Sequence, residues 1–231
     1  MCCIEGLDGL VKLATLDLSY NRIQRMEGLG AAGLPSLREL YLANNRISAI
    51  EGLEGLDRLE VLELGSNQLR RIANLRHLGA LRELHLGRND IDLIGEGLAG
   101  LASLRTLGLA SNRLRSLQGV EAAVGLRELY ADHNMIDDTA PILGLSQLHT
   151  VELSANRLRS IQVAPLSLLE ELWLSDNPID DAAALADVAV LPRLKTLYLS
   201  GCPFALTADY RASVLGLAPS TLVQLDADSL R

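Results

Sequence analysis

The sequence contains very few aromatic residues: one Trp, one Phe and five Tyr, or 3% of 231 residues. At the same time, 48% of the residues are hydrophobic. Large aromatic side chains normally supply much of a globular core, so a core this poor in them must be built from many similar aliphatic layers. The composition therefore indicates repetition rather than packing around a few large side chains.

The sequence also lacks the features that several functional classes need. Its 21 basic residues form no run and the formal net charge is −8, which argues against binding to nucleic-acid phosphates. Three cysteines, Cys2, Cys3 and Cys202, are too few for the disulfide-linked caps of extracellular repeat proteins, and no Asn-x-Ser/Thr acceptor occurs. There is no signal-peptide pattern and no apolar stretch of bilayer length. These absences predict a soluble intracellular protein with a protein partner.

What the sequence does contain is a recurring block, clearest at Leu169-Glu-Glu-Leu-Trp-Leu-Ser-Asp-Asn177. The pattern L-x-x-L-x-L-x-x-N and a period near 22 residues are those of leucine-rich repeats. The sequence therefore predicts an α/β leucine-rich-repeat solenoid that forms a single domain over residues 1–231. About nine repeats begin near Leu13, Leu37, Leu59, Leu81, Leu104, Leu126, Leu148, Leu169 and Leu194.

Each position of the block has a physical role in such a solenoid. The central L-x-L is a short strand whose leucines point into the core while the residue between them points outward. These strands are predicted to form a curved parallel sheet on the concave face, and short helical or 3-10 turns return over the convex face. The asparagine after the strand can pair backbone groups that the turn leaves without partners. Eight asparagines occupy this position: Asn21, Asn45, Asn67, Asn89, Asn112, Asn134, Asn156 and Asn177.

Two segments near the C-terminus leave room for longer helices. Residues 180–191 are rich in Ala, begin with Asp180-Asp181 and stop before a proline, which predicts an α-helix. Residues 207–219 have the pattern of a second capped helix that a proline ends. Because a solenoid must cover the apolar edge of its last repeat, residues 203–231 are predicted to form the C-terminal cap.

No group of residues has the pattern of an active site. Residues 28–33 spell G-x-G-x-x-G, but they follow a repeat turn rather than a strand, so nucleotide binding is not predicted. Asp132 and His133 are neighbours in a turn without a nucleophile beside them. Cys202 replaces the asparagine of its repeat and is expected to be structural, and His and Cys lack metal-ligand spacing. We therefore expect a protein that is not an enzyme and that uses no metal or cofactor.

The outward-facing residues of the strands predict the function. Neighbouring strands lie about 4.8 Å apart, so these residues form a continuous column in which aromatic and acidic side chains alternate. Trp173 is expected to be exposed beside Tyr198, and exposed aromatic residues with a charged rim are typical of protein-binding hot spots. The predicted protein-binding residues are Asp17, Tyr41, Glu63, His85, Tyr130, Glu152, Glu171, Trp173 and Tyr198.

Several blocks resemble the regulatory subunit 7 family of protein phosphatase 1. The resemblance covers the nine repeats and the cap. It is carried by the linker I-x-x-I/L-E-G-L, the blocks Leu62-Glu-Leu-Gly-Ser-Asn67 and Glu171-Leu-Trp-Leu-Ser-Asp-Asn177, and the ending Asp209-Tyr-Arg-x-x-Val-Leu-x-Leu-x-Pro219 with Leu225-Asp226. The Tyr-Arg-x-x-Val ending is less specific, because the axonemal dynein light chain and the spliceosomal leucine-rich protein of this repeat class share it.

The resemblance implies that the concave face holds the catalytic subunit of protein phosphatase 1, in the cytoplasm, the nucleus or both. Tyr41 and Glu152 are conservative replacements for the family's residues, whereas His85 stands where the family has an aromatic residue. The residues that match the family's types are Asp17, Glu63, Glu171, Trp173 and Tyr198.

A second interpretation remains open at this stage. A structural adaptor of the dynein light chain kind would use the same face on an axonemal or cytoskeletal protein, which would place the chain in a cilium. An RNA-associated scaffold of the spliceosomal kind is disfavoured by the acidic concave column.

Overall fold

The computed structural model describes residues 4–30 and 33–230 of the chain. In these residues, eleven strands form one sheet in which each strand pairs with the next along the chain. Every pair is parallel except the last, which is antiparallel. The strands are β1 Thr15–Asp17, β2 Glu39–Tyr41, β3 Val61–Glu63, β4 Glu83–His85, β5 Thr106–Gly108, β6 Glu128–Tyr130, β7 Thr150–Glu152, β8 Glu171–Trp173, β9 Thr196–Tyr198, β10 Gln224–Leu225 and β11 Asp228–Ser229.

Each of the first nine strands is three residues long, with one aliphatic residue at its centre. The pairing is in register, so that Leu40 of β2 lies beside Leu62 of β3, and both are fully buried. Repetition of this arrangement builds one continuous aliphatic core from layers of similar size. The predicted leucine-rich-repeat solenoid with a parallel sheet is confirmed.

The asparagines after the strands form a hydrogen-bonded ladder, as the sequence predicts. Asn89 is representative: its Oδ1 accepts the N–H of Leu69 at 2.9 Å, and its Nδ2 donates to the carbonyls of Leu64 and Leu86 at 3.0 and 2.9 Å. Each asparagine thus pairs backbone groups of its own repeat and of the preceding one, which would otherwise be buried without partners. The same bonds recur at Asn45, Asn67, Asn112, Asn134, Asn156 and Asn177.

Cys202 continues this ladder in the last repeat. Its thiol is fully buried and donates to the carbonyl of Leu174 at 3.3 Å, the bond that an asparagine Nδ2 makes elsewhere. Burial raises the pKa of the Cys202 thiol, which keeps it protonated as a donor. The expected structural role of Cys202 is confirmed, whereas Cys2 and Cys3 lie outside the described residues.

The residue before each ladder position has a left-handed backbone. In eight successive repeats it is not Gly, and its φ lies between 53° and 58°. Its N–H donates to a carbonyl of the next repeat, as Tyr20 does to Ala43 at 2.9 Å, so the neighbouring repeat holds the strained conformation in place. These residues are Tyr20, Asn44, Ser66, Arg88, Ser111, His133, Ala155 and Asp176.

The prediction of an α-helix over residues 180–191 is wrong about the type of helix. The segment forms a 3-10 helix, Ala183–Val190. Asp187 Oδ2 accepts the N–H groups of Val163 and Ala164, and the carbonyl of Ala184 accepts the N–H of Ile161, so the preceding repeat fixes the segment at several points. A 3-10 helix rises about 2.0 Å per residue against 1.5 Å in an α-helix, and these contacts override the propensity of Ala for the α-helix.

The rest of the convex side consists mainly of turns with short helices. The other 3-10 helices of the described residues are Val120–Ala122, Ala140–Ile142 and Pro203–Leu206. The predicted C-terminal helix is present as α1, Tyr210–Leu217, and ends before Pro219.

The two ends of the sheet differ in how they are covered. At the C-terminal end, α1 contacts the two preceding helical segments, and β10 and β11 form a hairpin against β9. At the other end, Leu16 and Leu18 of the first repeat are only half-buried, while Leu10 and Val11 are exposed. The core is therefore complete in the middle of the solenoid and thinner beside β1.

Candidate functional site

The outward side chains of β1 to β9 form two parallel columns, because the first and third residues of each strand lie on the same side of the sheet. The nine residues predicted as protein-binding all lie on this face: eight occupy strand ends, and Glu171 occupies a strand start. The strand-start column is Thr15, Glu39, Val61, Glu83, Thr106, Glu128, Thr150, Glu171 and Thr196. The strand-end column is Asp17, Tyr41, Glu63, His85, Gly108, Tyr130, Glu152, Trp173 and Tyr198.

Two kinds of strand alternate along this face. The even-numbered strands β2, β4, β6 and β8 start with Glu and end with an aromatic ring, whereas the odd-numbered strands β1, β3, β5 and β7 start with Thr or Val and end with an acid or Gly. Strand β9 departs from the pattern by ending with Tyr198. The repeating unit of the surface is therefore two repeats rather than one.

Hydrogen bonds link the two kinds of strand. The Thr15 hydroxyl donates to Glu39 Oε2 at 3.1 Å, and the Thr106 hydroxyl donates to Glu128 Oε2 at 3.2 Å. The hydroxyl of Tyr41 also points to Glu39 Oε2, at 3.4 Å. Burial, followed by the charge of Glu39, raises the pKa of Tyr41, so its hydroxyl remains a proton donor. The carboxylates of Glu39 and Glu128 are thus held in place by their neighbours.

The acids of the odd-numbered strands have a local structural role in addition to their predicted role in binding. Each one accepts a hydrogen bond from the backbone N–H of the residue two positions later. Asp17 accepts from Ser19 at 2.9 Å, Glu63 accepts from Gly65 at 2.6 Å, and Glu152 accepts from Ser154 at 2.7 Å. This bond lowers the pKa of Asp17. In Glu152 burial outweighs it and raises the pKa. These carboxylates stabilise the turn that follows the strand.

Trp173 and Tyr198 form the aromatic end of the face. Their ring centroids lie 5.8 Å apart with an interplanar angle of 70°, which is an edge-to-face contact. The expectation that Trp173 is exposed is wrong, because packing against its neighbours leaves it half-buried. Its indole Nε1 is fully buried and has no hydrogen-bond partner among the described residues. The Tyr198 hydroxyl accepts a hydrogen bond from Gln224 Nε2 at 2.5 Å.

A groove of 770 Å³ runs beside the strand ends from β1 to β6. The strand ends form one row of its lining residues, and two further rows were not predicted from the sequence. One consists of residues two positions after the strand, such as Ala43, Gly65, Gly87 and Ala110, and the other consists of the left-handed residues before the ladder. The recurrence of small residues at the first of these positions is the signal that could have revealed the groove. The groove residues outside the strands are Ser19, Tyr20, Ala43, Asn44, Gly65, Ser66, Gly87, Arg88, Ala110, Ser111, Asp132 and His133.

Asp132 and His133 line the end of this groove, but their side chains are not hydrogen-bonded to each other. Asp132 Oδ2 and His133 Nε2 lie 4.0 Å apart, beyond hydrogen-bond distance. Within residues 4–30 and 33–230, no three His, Cys, Asp or Glu side chains are grouped as a metal site would require. In the same ranges, no helix has the length and apolar character needed to cross a bilayer. Of the G-x-G-x-x-G stretch, residues 31 and 32 lie outside the described part.

Comparisons with known proteins agree with the repeats and the fold. The family model described as leucine-rich repeats (2 copies) matches residues 11–55 and 35–77. A protein of Arabidopsis thaliana, named protein phosphatase 1 regulatory inhibitor subunit PPP1R7 homolog, is 38% identical over 83 residues, which is 36% of this chain and 25% of that protein. The chain therefore matches about a quarter of the length of this curated relative.

Solved structures with the same fold cover more of the chain. A leucine-rich-repeat protein of Leptospira interrogans has a TM-score of 0.81 and 26% identity over 93% of this chain and 55% of its own. Internalin C2 of Listeria monocytogenes has a TM-score of 0.69 and 29% identity over 80% of both chains. The repeats, the solenoid and these similarities together make this chain a leucine-rich-repeat protein with the architecture of a protein-interaction scaffold.

Proposed function

We propose that this chain is a non-enzymatic scaffold that binds the catalytic subunit of protein phosphatase 1 on its concave face. The observation that carries the proposal is the aromatic pair Trp173–Tyr198 beside Glu171, in a chain similar to a plant protein named as a phosphatase 1 regulatory inhibitor subunit. The proposal implies an intracellular location, in the cytoplasm or the nucleus.

The rigidity of the face supports this function. The asparagine ladder and the bonds between strands hold its backbone in one arrangement before a partner arrives. Four carboxylates of the strand-start column lie on the same side: Glu39, Glu83, Glu128 and Glu171. A pre-ordered surface loses little conformational entropy on binding, and its negative charge accelerates association with a basic patch on the partner.

The aromatic pair supplies the anchor. Trp173 and Tyr198 are each half-buried, so their packing against one another fixes the part of each ring that remains accessible. Trp and Tyr are enriched among the residues that dominate binding energy, since they bury a large area at a small entropic cost. We infer that the C-terminal half of the face contributes most of the affinity.

Replacing Trp173→Ala together with Glu171→Ala tests the proposal. The double variant should lose about 2–4 kcal/mol of binding free energy for the purified catalytic subunit, the range typical of hot-spot truncation. Isothermal titration calorimetry measures the loss, and circular dichroism with thermal unfolding checks that the variant is folded.

A matched control removes an apolar side chain and a carboxylate elsewhere. Leu206 and Glu54 are both exposed and lie outside the two columns, so Leu206→Ala with Glu54→Ala should bind the catalytic subunit like the wild type. Undiminished binding by the Trp173 variant, or no binding by the wild type, would refute the proposal. Purification from the native source that returns axonemal proteins instead would favour the structural adaptor.

A further inference from the structure

Three even-numbered strands beside the groove, β2, β4 and β6, each carry a Glu and an aromatic ring, which is Tyr on β2 and β6 and His on β4. Glu39 and Tyr41 on β2, and Glu128 and Tyr130 on β6, bring a hydroxyl within 3.4 and 3.3 Å of a carboxylate oxygen. On β4 the ring of His85 lies 3.4 Å from Glu83. We call these three the acid–aromatic pairs.

The carboxylates of two pairs keep one oxygen free. Glu39 and Glu128 accept bonds from Thr and Tyr hydroxyls on Oε2 alone. Among the described residues, neither Oε1 accepts a hydrogen bond, and neither side chain forms an ion pair. A free carboxylate oxygen beside an aromatic ring suits an ammonium or guanidinium group, which gains both a charge-assisted hydrogen bond and a cation–π contact.

The groove that these pairs border is predominantly acidic. Asp17, Glu63 and Asp132 line it, and the acids of the pairs lie one column away. The opposing charges are Arg88, which is exposed on the groove wall, and the rings of His85 and His133 when protonated. Charge complementarity therefore favours a basic occupant.

The spacing of the pairs indicates the conformation of that occupant. Pairs recur on every second strand, which corresponds to about 9.5 Å between backbones. Three residues of a polyproline II helix span about 9.3 Å, seven residues of an α-helix span about 10.5 Å, and alternate residues of a β-strand are about 6.7 Å apart. Side chains on a concave surface converge, which shortens the spacing and disfavours the α-helix further.

We propose that the groove along β1 to β6 takes an extended, proline-rich segment of a partner protein, in polyproline II conformation, with Lys or Arg at every third residue. Each cation lies between a Glu and a ring on β2, β4 and β6, and the intervening prolines lie over the small residues of the groove, such as Gly65 and Gly87. This inference deepens the proposed function, since the segment belongs to a protein held on the same face.

Two labelled peptides of identical composition test the spacing. One contains four Lys-Pro-Pro units, and the other has the same four Lys and eight Pro with the lysines in two adjacent pairs. Fluorescence anisotropy at about 0.15 M salt should show about tenfold tighter binding of the regularly spaced peptide, because it alone can occupy three pairs at once. Equal binding of the two peptides, or tighter binding of a helical peptide with Lys at every seventh residue, would overturn the proposal.

Matched variants test the location. Glu39→Gln with Glu128→Gln should weaken binding of the regular peptide about tenfold, whereas Glu54→Gln with Glu96→Gln removes the same charge at exposed sites outside the two columns and should leave it unchanged. Equal loss in both double variants would show non-specific attraction and would also overturn the proposal.

The peptide experiment and the phosphatase experiment can each fail without the other. Trp173 and Tyr198 lie outside the groove, and Glu39 and Glu128 are intact in the Trp173 variant. A chain that binds the catalytic subunit but not the peptide refutes the inference alone. A chain that binds the peptide but not the catalytic subunit refutes the proposed partner alone.

Discussion

Residues at equivalent positions of different repeats acquire different properties from their neighbours. Glu152 and Asp17 both end a strand and both accept the N–H of a later serine. Glu152, however, lies in register between Tyr130 and Trp173, and only 8% of it is exposed. Asp17 lies on the first strand and remains exposed. A carboxylate that is solvated in one repeat is therefore desolvated in another.

Replacement of Glu152→Gln should stabilise the fold at neutral pH. Burial raises the pKa of Glu152 above its ordinary value of 4.5, so the folded state disfavours the charged form more than the unfolded chain does. The stability that the protonated group contributes is present below pH 4.5 and is lost as the pH rises through the raised pKa. Gln keeps an acceptor for Ser154 N–H without the charge.

Urea unfolding midpoints at neutral pH and near pH 4.5 measure this effect. The variant should exceed the wild type at neutral pH, and the difference should shrink at the lower pH. Glu63→Gln is the control, because Glu63 makes the same turn bond but is only half-buried. An equal gain in both variants would mean that relief of charge repulsion, not burial of Glu152, is the cause.

At the scale of elements, the carboxylate of Asp226 links the C-terminal helix to the sheet. Asp226 Oδ1 accepts the N–H groups of Leu199 and Ser200, and its Oδ2 accepts the Tyr210 hydroxyl at 2.7 Å. Tyr210 also packs edge-to-face on Phe204 with centroids 5.3 Å apart. Helix α1, the 3-10 helix before it and the turn after β10 therefore stabilise one another.

Loss of the hydroxyl in Tyr210→Phe should cost about 1–3 kcal/mol of unfolding free energy, because it leaves Oδ2 of the partly buried Asp226 without its donor. Urea denaturation measures the cost, and hydrogen exchange at the Leu199 and Ser200 amides should accelerate more than exchange in β3. Tyr20→Phe is the matched control, since Tyr20 is 83% exposed and no bond to its hydroxyl is present among the described residues. A similar cost in both variants would contradict the role assigned to Asp226.

At the scale of the whole molecule, packing is sequential. Each strand of the sheet pairs with its neighbours in the chain, and the described residues show no strand crossover. Stability is then close to a sum of contributions from each repeat and each contact between repeats. A given leucine matters according to how completely its neighbours enclose it.

Leu107→Ala and Leu16→Ala test this dependence on position. Both residues are the central Leu of a strand, but Leu107 of β5 is fully buried and Leu16 of β1 is half-buried. Leu107→Ala should cost about 2–5 kcal/mol in urea denaturation, and Leu16→Ala roughly half as much, because less apolar area is lost. Equal costs would show that β1 is as well enclosed as the centre of the solenoid.

The sequence was sufficient to predict the strands, the ladder and the strand-end column, because each follows from a position that recurs every repeat. Prediction from the sequence failed where contacts between repeats determine the type of helix or the burial of a side chain. The bonds from Asp187 make residues 183–190 a 3-10 helix despite their Ala content, and packing half-buries Trp173. The groove was missed because it depends on backbone conformation at residues such as Tyr20 and Asn44, which carry no distinctive side chain.

The alternation of strands restricts how the length of this chain can change. Removal of the single repeat that contains β5 would place Glu83 of β4 directly beside Glu128 of β6, on strands about 4.8 Å apart and without the Thr106 hydroxyl between the two carboxylates. Removal of two consecutive repeats would leave each Glu beside a Thr or Val and would only shorten the array. Duplication or loss in pairs is therefore the change in length that this surface tolerates.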